Sequence, residues 1–408
     1  MTMSRVLMLL VTLMTGCSTP RALMPMPTLY ATGKAELFES LPPELAGNRV
    51  NLLYVTDRTA CRDKQGRLMY SAGRSRSLAF GSALFTIGMP DQKPEARPVV
   101  RLESLSEHAR FPPTPYPLTY NDGRYEVDSK ITAQENRVDR ALTHEINRRL
   151  AIGPRKEIFL FIHGVDNSLE FALETWAGMW HFLGREGVPV VYSWPSGVGG
   201  VPITAYNYDR ESGEFTIYHL KQFLKIIAAN DQVERIHIVA HSRGTDVITS
   251  AIRELFIAAR AAGQDMRQEY KIADLVLIAP DLDMDVVGQR LAAEKLAEGI
   301  GRITIYVSPE DKALGLASVL FSSVLRFGQI RSEDIQTQIR IGEHINNIAF
   351  IDAGQTEGIG HGYFYNNPAV SSDLMLLLRY GLAAGSPGRP LIPSRSHFWR
   401  VPVDYLKR

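Results

Sequence analysis

Six apolar runs recur between residues 157 and 353: "EIFLFIHG" (157–164), "VPVVYSWP" (188–195), "RIHIVAHS" (235–242), "ADLVLIAP" (273–280), "RITIYVS" (302–308) and "NIAFIDA" (347–353). They do not alternate apolar with polar residues, so each fits a strand buried on both faces, as in a parallel sheet. The intervening segments 169–185, 211–229, 244–262, 285–298 and 312–327 have the length and pattern of crossover helices. Such alternation predicts an α/β fold, a doubly wound sheet with helices on both sides. Two earlier runs, "VNLLYVTD" (50–57) and "SALFTIGM" (82–89), have no helix between them and predict an antiparallel N-terminal start. The expected sheet is therefore mostly parallel, with about eight strands. The segment "VDSKITAQENRVDRALTHEINRRLA" carries apolar residues at helical spacing on a charged background and reads as a surface helix.

Ligands of doubly wound sheets bind outside the carboxyl ends of the strands, so the residues just after each run matter most. The fifth run enters "IVAHSRGTD", where Ser242 sits between a strand and a helix-like segment, with Ala240 two residues before it and Gly244 two after. A strand-to-helix turn of this kind pushes a nucleophile above the sheet and demands small residues at those two positions. The usual form is GxSxG, and Ala240 departs from it by one methyl group. A serine hydroxyl needs a base to activate it, and the base needs a third group to orient it. His361, in the glycine-rich stretch after the last run, is the candidate base; His344 precedes that run and would lie at the opposite end of the sheet. For the acid, Asp311 follows the seventh run, while Asp281 and Asp283 follow the sixth and remain alternatives, with Glu310 behind them. Asp281 follows a proline and is equally suited to cap a helix. Backbone N–H groups of Val165, in the "HGV" turn, and Arg243, after the nucleophile, are candidate oxyanion donors.

The stretches "FIHGVDNS", "VVYSWPS", "YNYDRES", "IHIVAHSRG", "LIAPDLD" and "HGYFYNNPAVSSDLMLLL", with "YVTDRT" and "GRSRSLAFG" before them, together resemble the α/β-hydrolase superfamily. The likeness is to its bacterial branch of uncharacterised proteins with an SWPS strand end and an AHSxG elbow, and covers roughly residues 48–380. It implies the α/β-hydrolase fold, Ser242 as nucleophile, His361 as base and an aspartate after a late strand as the orienting acid. The expected activity is a serine hydrolase acting on an ester, thioester or related acyl bond. The alternative is a non-catalytic envelope lipoprotein that keeps the fold as a scaffold for binding or assembly.

The start of the chain supports an envelope location. "MTMSRVLMLLVTLMTGCSTP" has a basic residue, an apolar run too short to span a bilayer, and small residues before Cys17. This resembles a bacterial lipoprotein signal over residues 1–16, with Cys17 as the lipidated residue and Ser18 favouring the outer membrane, facing the periplasm. Residues 17–48, rich in proline and small residues, are expected as a tether, 49–385 as the hydrolase domain and 386–408 as a C-terminal extension. Cys61 then has no intramolecular disulfide partner. The net charge of +1 gives no reason to expect nucleic acid; partners are an acyl substrate, small or lipid-like, and a membrane reached through the anchor. No dinucleotide or P-loop glycine pattern and no zinc-ligand spacing is present, so neither cofactor nor metal is expected. "GVGGVP" (197–202) reads as a rim loop, 196–215 as a lid, and the apolar "ALGLASVLFSSVLRFG" (313–328) as a core helix or a cap for acyl chains.

Overall fold

We analysed a computed structural model of the protein, whose described residues are 21–39, 41–89, 97–315, 325–333, 346–354, 360–395 and 397–407. The N-terminal strands are β1 (Arg21–Ala22), β2 (Arg49–Arg62), β3 (Leu68–Gly88) and β4 (Val99–Arg110), followed by a separate hairpin of β5 (Leu118–Asn121) and β6 (Arg124–Val127). The six apolar runs form β7 (Glu157–Ile162), β8 (Val188–Ser193), β9 (Arg235–His241), β10 (Ile272–Ile278), β11 (Arg302–Val307) and β12 (Ile348–Asp352). The chain then adds β13 (Ile392–Arg395) and β14 (Phe398–Arg400).

One sheet takes all but the hairpin, in the order β1-β4-β3-β2-β8-β7-β9-β10-β11-β12-β14-β13. Strands β7 and β8 are buried at every residue, as their unbroken apolar runs predict. β2, β3 and β4 are antiparallel to one another, and β2 joins the parallel part by pairing Leu53 with Val190 of β8. Because β7 lies between β8 and β9, the crossovers reverse direction there, and the carboxyl ends of β7 and β9 open side by side into one crevice.

Helices sheathe both faces. On one face α3 (Ser129–Leu150), α5 (Pro202–Ala229) and α6 (Gly244–Ala261) pack against Leu160, Val190, Ile238 and Leu275. On the other, α4 (Leu169–Phe182) and the helix Pro368–Leu378 pack against Phe161, Val191, Val239 and Val276. The split follows from strand geometry, since neighbouring residues of one strand point to opposite faces.

Among the described residues the sheet has twelve strands rather than about eight, because β4 inside the predicted domain and β1, β13 and β14 from its flanks also join it. The described part of 17–48 is docked rather than a free tether. β1 pairs with β4, and α1 (Thr28–Ala31) buries Leu29 and Tyr30, whose hydroxyl donates to the Phe182 carbonyl at 2.7 Å. A second short helix, α2 (Pro43–Ala46), precedes β2. The segment 386–408 supplies β13, β14 and a buried cluster in which Arg389 and the Tyr405 hydroxyl both bond Asp373. Proline-rich composition suggests a spacer over 17–48, but a few large side chains are enough to fix its described part.

Two helices differ from expectation. α5 begins at Pro202, so most of the stretch read as a lid is helical. A Cβ on Gly213 would come within 3.3 Å of Val247 on α6, and its absence lets the two helices approach. After α7 (Met266–Tyr270) and β10, the expected helix 285–298 is broken into one turn of α8 (Met284–Val286), a π-turn over Val287–Ala292 and a 3-10 turn over Leu296–Gly299. Lys295, with φ of 58°, makes the break. The expected helix 312–327 lies mostly outside the described residues, as do His344, Cys17 and the signal segment. No helix among the described residues is long and apolar enough to cross a membrane.

The amino-terminal end of the sheet, away from the crevice, carries a buried ionic knot. His237 donates from Nδ1 to Asp274 at 2.7 Å and from Nε2 to Glu157 at 3.1 Å, and Arg302 binds the other oxygen of Asp274 at 2.6 Å. Burial alone would lower the His237 pKa, but the two carboxylates raise it above its ordinary value. The stability that His237 contributes is therefore full below its unfolded pKa of about 6.5 and is lost as pH rises through the raised folded value. Urea midpoints of the wild type are expected to fall between pH 6 and pH 9 more steeply than those of His237→Gln. Equal slopes would show that His237 is not charged in the fold.

Candidate active site

β9 ends at the elbow. The Ser242 N–H still bonds the Ile278 carbonyl at 2.9 Å, and then the chain turns with Ser242 at φ of 53°. Left-handed backbone is costly for a non-glycine residue and persists only where its surroundings enforce it. The enforcement is visible on both sides. A Cβ on Gly244 would lie 2.4 Å from the His163 carbonyl oxygen and 2.7 Å from that of Ile162, so α6 can start against β7 only with glycine there. A Cβ on Gly164 would meet the Ser242 Cβ at 2.7 Å, which brings the "HGV" turn directly against the serine. Ser242 itself is 4% exposed.

Asp311 follows β11 and is buried. Its Oδ1 accepts from the Ala313 and Leu314 amides at 3.0 and 3.1 Å, and its Oδ2 accepts from His361 Nδ1 at 2.7 Å. The His361 ring is one-fifth exposed and lies 4.7 Å, centroid to centroid, from the ring of His241, the residue before the serine. The His361 carbonyl accepts from His241 Nε2 at 3.0 Å, and two residues on, the Tyr363 hydroxyl donates to the Tyr306 carbonyl and accepts from the Ala279 amide. Burial and the neighbouring His361 push His241 down to about 3, so its ring is neutral and serves as the donor. Three anchors thus hold the His361 segment over the carboxyl ends of β9 to β11. The Ser242 hydroxyl is not hydrogen-bonded to His361 among the described residues. Such contacts are often long in unliganded sites and tighten when substrate binds.

The alternative acids are engaged elsewhere. Asp281 accepts from the Tyr206 hydroxyl and pairs with Arg326 at 3.4 Å, while Asp283 caps α8 through the Asp285 and Val286 amides at 2.9 and 3.3 Å. Neither bonds His361. Asp246 pairs with Arg243 at 2.6 Å in the first turn of α6.

The Arg243 N–H follows the serine in the chain, the Val165 N–H belongs to the turn whose Gly164 abuts it, and neither donates to another group among the described residues. The rest of the "HGVDN" turn is bonded from behind. His163 Nδ1 bonds the Gly164 carbonyl at 2.8 Å, Asn167 Nδ2 donates to the Val165 carbonyl at 2.6 Å, and Asp209 of α5 accepts from the Asp166 amide at 2.8 Å. Beneath lies Arg58, 1% exposed, which donates to the Asn167 carbonyl at 2.6 Å, the Ser196 carbonyl at 2.9 Å and Ser193 Oγ at 2.8 Å. Burial lowers its pKa to about 10, which leaves it charged near neutrality. Sequence reasoning missed Arg58 and Asp209; the only trace of them was their place inside the quoted "YVTDRT" and "YNYDRES" stretches.

A family model described as "Alpha/beta hydrolase of unknown function (DUF900)" matches residues 138–379, a span that includes Ser242, Asp311 and His361. No curated relative matches. Among solved structures the chain is similar to "Pyrobaculum calidifontis esterase monoclinic form", with 11% identity and a TM-score of 0.30 over 62% of this chain and 94% of that one. It is also similar to "Crystal structure of ESTFA (FE-lacking apo form)", with 13% identity and a TM-score of 0.20 over 46% of this chain and 72% of that one. Likenesses this loose carry no argument about the site.

Proposed function

The chain belongs to the family of alpha/beta hydrolases of unknown function, and on that premise we propose that it is a serine hydrolase cleaving an ester, thioester or related acyl bond. His361 Nε2 takes the Ser242 proton as Oγ attacks the acyl carbon, and returns it to the leaving group when the tetrahedral intermediate collapses. Water, deprotonated by the same nitrogen, then releases the acid from the acyl-serine. Asp311 keeps the proton of His361 on Nδ1, and the Val165 and Arg243 amides bind the oxyanion. The observation that carries this reading is the 2.7 Å bond from His361 Nδ1 to Asp311, on a ring packed 4.7 Å from that of His241, the residue before a serine in left-handed backbone.

The SWPS strand end at 193–196 and the AHSxG elbow at 240–244 support assignment to a branch of the family that shares both. The N-terminal sequence supports lipidation at Cys17, and with it an outer-membrane position facing the periplasm and an acyl substrate, small or lipid-like. One observation favours the second reading, a non-catalytic scaffold in the envelope: the serine and histidine are not bonded in this structure. A fluorophosphonate probe separates the two. Stoichiometric labelling mapped by mass spectrometry to Ser242, with turnover of p-nitrophenyl esters, is the expected result. No labelling of the wild type, together with a stable envelope partner captured by crosslinking, would overturn it.

A further inference from the structure

The buried arginine behind the "HGVDN" turn does more than fill space. Its guanidinium can only donate, so the 2.8 Å contact from Arg58 Nε makes Ser193 Oγ an acceptor and leaves the Ser193 proton free. That hydroxyl lies 2.9 Å from His163 Nε2, and the other ring nitrogen, Nδ1, lies 2.8 Å from the Gly164 carbonyl. A carbonyl accepts, so Nδ1 must carry the proton; Nε2 then accepts from Ser193, provided that the ring is neutral. Burial and the Arg58 charge both hold His163 well below its ordinary pKa, which satisfies that condition. The Gly164 carbonyl and the Val165 N–H belong to one trans peptide and point in opposite directions. Fixing the carbonyl inward on His163 therefore aims the Val165 N–H outward, on the side where Gly164 abuts Ser242.

We infer that Arg58, acting through Ser193 and the Nδ1-protonated tautomer of His163, is the positioning residue that presets the Val165 N–H as an oxyanion donor. The inference rests on the serine hydrolase reading for its kinetic consequence, but the tautomer relay is a property of the fold. Asp209 fixes the following peptide by accepting from the Asp166 N–H, whose residue sits at φ of 52°. The turn is thus held from both sides and need not reorganise during reaction.

Two variants test the relay. Ser193→Ala removes the hydroxyl bridge with little change in volume, and Arg58→Lys keeps the charge but loses the planar fork. Loss of one direct oxyanion donor costs about 10²- to 10³-fold in kcat, so misaiming it is expected to cost at least about tenfold in each variant, with KM changed less than about threefold. The side-chain ¹⁵N shifts of His163 are expected to show protonated Nδ1 and bare Nε2 in the wild type, and a displaced Nε2 resonance in Ser193→Ala, where the hydroxyl donor to that nitrogen is lost. Protonated Nε2 in the wild type would overturn the relay, as would unchanged kcat in a folded Ser193→Ala protein. Should Arg58→Lys fail to fold, Ser193→Ala decides alone. Failure of wild-type Ser242 to label with fluorophosphonate would sink the hydrolase reading instead, and the His163 spectrum would still report on the relay.

Discussion

Ser242→Ala is expected to lower kcat by about 10⁶-fold and to abolish fluorophosphonate labelling while leaving the thermal unfolding midpoint within a few degrees of the wild type. The size follows from what is removed. Without the hydroxyl no acyl-enzyme forms, and His361 has no proton to take; what remains is direct attack by water, helped only by the oxyanion donors. The fold should survive because the side chain of Ser242 makes no hydrogen bond among the described residues, and the turn is enforced by the backbone contacts of Gly164 and Gly244. Stopped-flow with an activated ester is the measurement. A Ser242→Ala protein that still labels and still turns over would dismiss the nucleophile.

Asp311→Asn is expected to cost about 10⁴-fold in kcat, with folding intact. The carboxylate accepts three hydrogen bonds, from Ala313, Leu314 and His361. An asparagine can still accept from the two amides with its carbonyl, but it then turns an NH₂ group toward His361 Nδ1. Two donors cannot share that contact, so the ring shifts its proton to Nε2 and loses the lone pair that faces the serine. Asp281→Asn and Asp283→Asn provide the contrast. Asp281 serves Tyr206 and Arg326, and Asp283 serves the start of α8, so each is expected to change kcat by less than about tenfold. A larger loss in Asp281→Asn than in Asp311→Asn would reverse the assignment of the acid.

These residues were legible in the sequence because strand ends are. Unbroken apolar runs announce strands buried on both faces, and the topology of such sheets gathers whatever follows each run, so Ser242, Asp311 and His361 were all candidates on position and chemistry. Choosing Asp311 over Asp281 needed three dimensions, since both follow a strand and only one meets His361. Arg58 was illegible for a different reason. It acts on backbone carbonyls and a serine far along the chain, and neither periodicity nor local spacing encodes such contacts. Gly213 was likewise silent in the sequence: a residue that ordinarily weakens a helix here permits two helices to meet. The described part of 17–48 docks although its composition reads as a tether, because composition speaks for the average residue while docking depended on a few, such as Tyr30.

The pairing of β12 with β14 has a consequence for how the protein is made. Until Phe398–Arg400 has been synthesised and returns to lie against Phe350–Asp352, β12 presents an open backbone edge, although every strand that carries a proposed catalytic group has already been synthesised. An unpaired parallel edge of this kind is a template for another nascent chain. Translation thus places the covering of the β12 edge after the strands that carry the proposed chemistry, and leaves the short, exposed β13 as the outermost strand on that side.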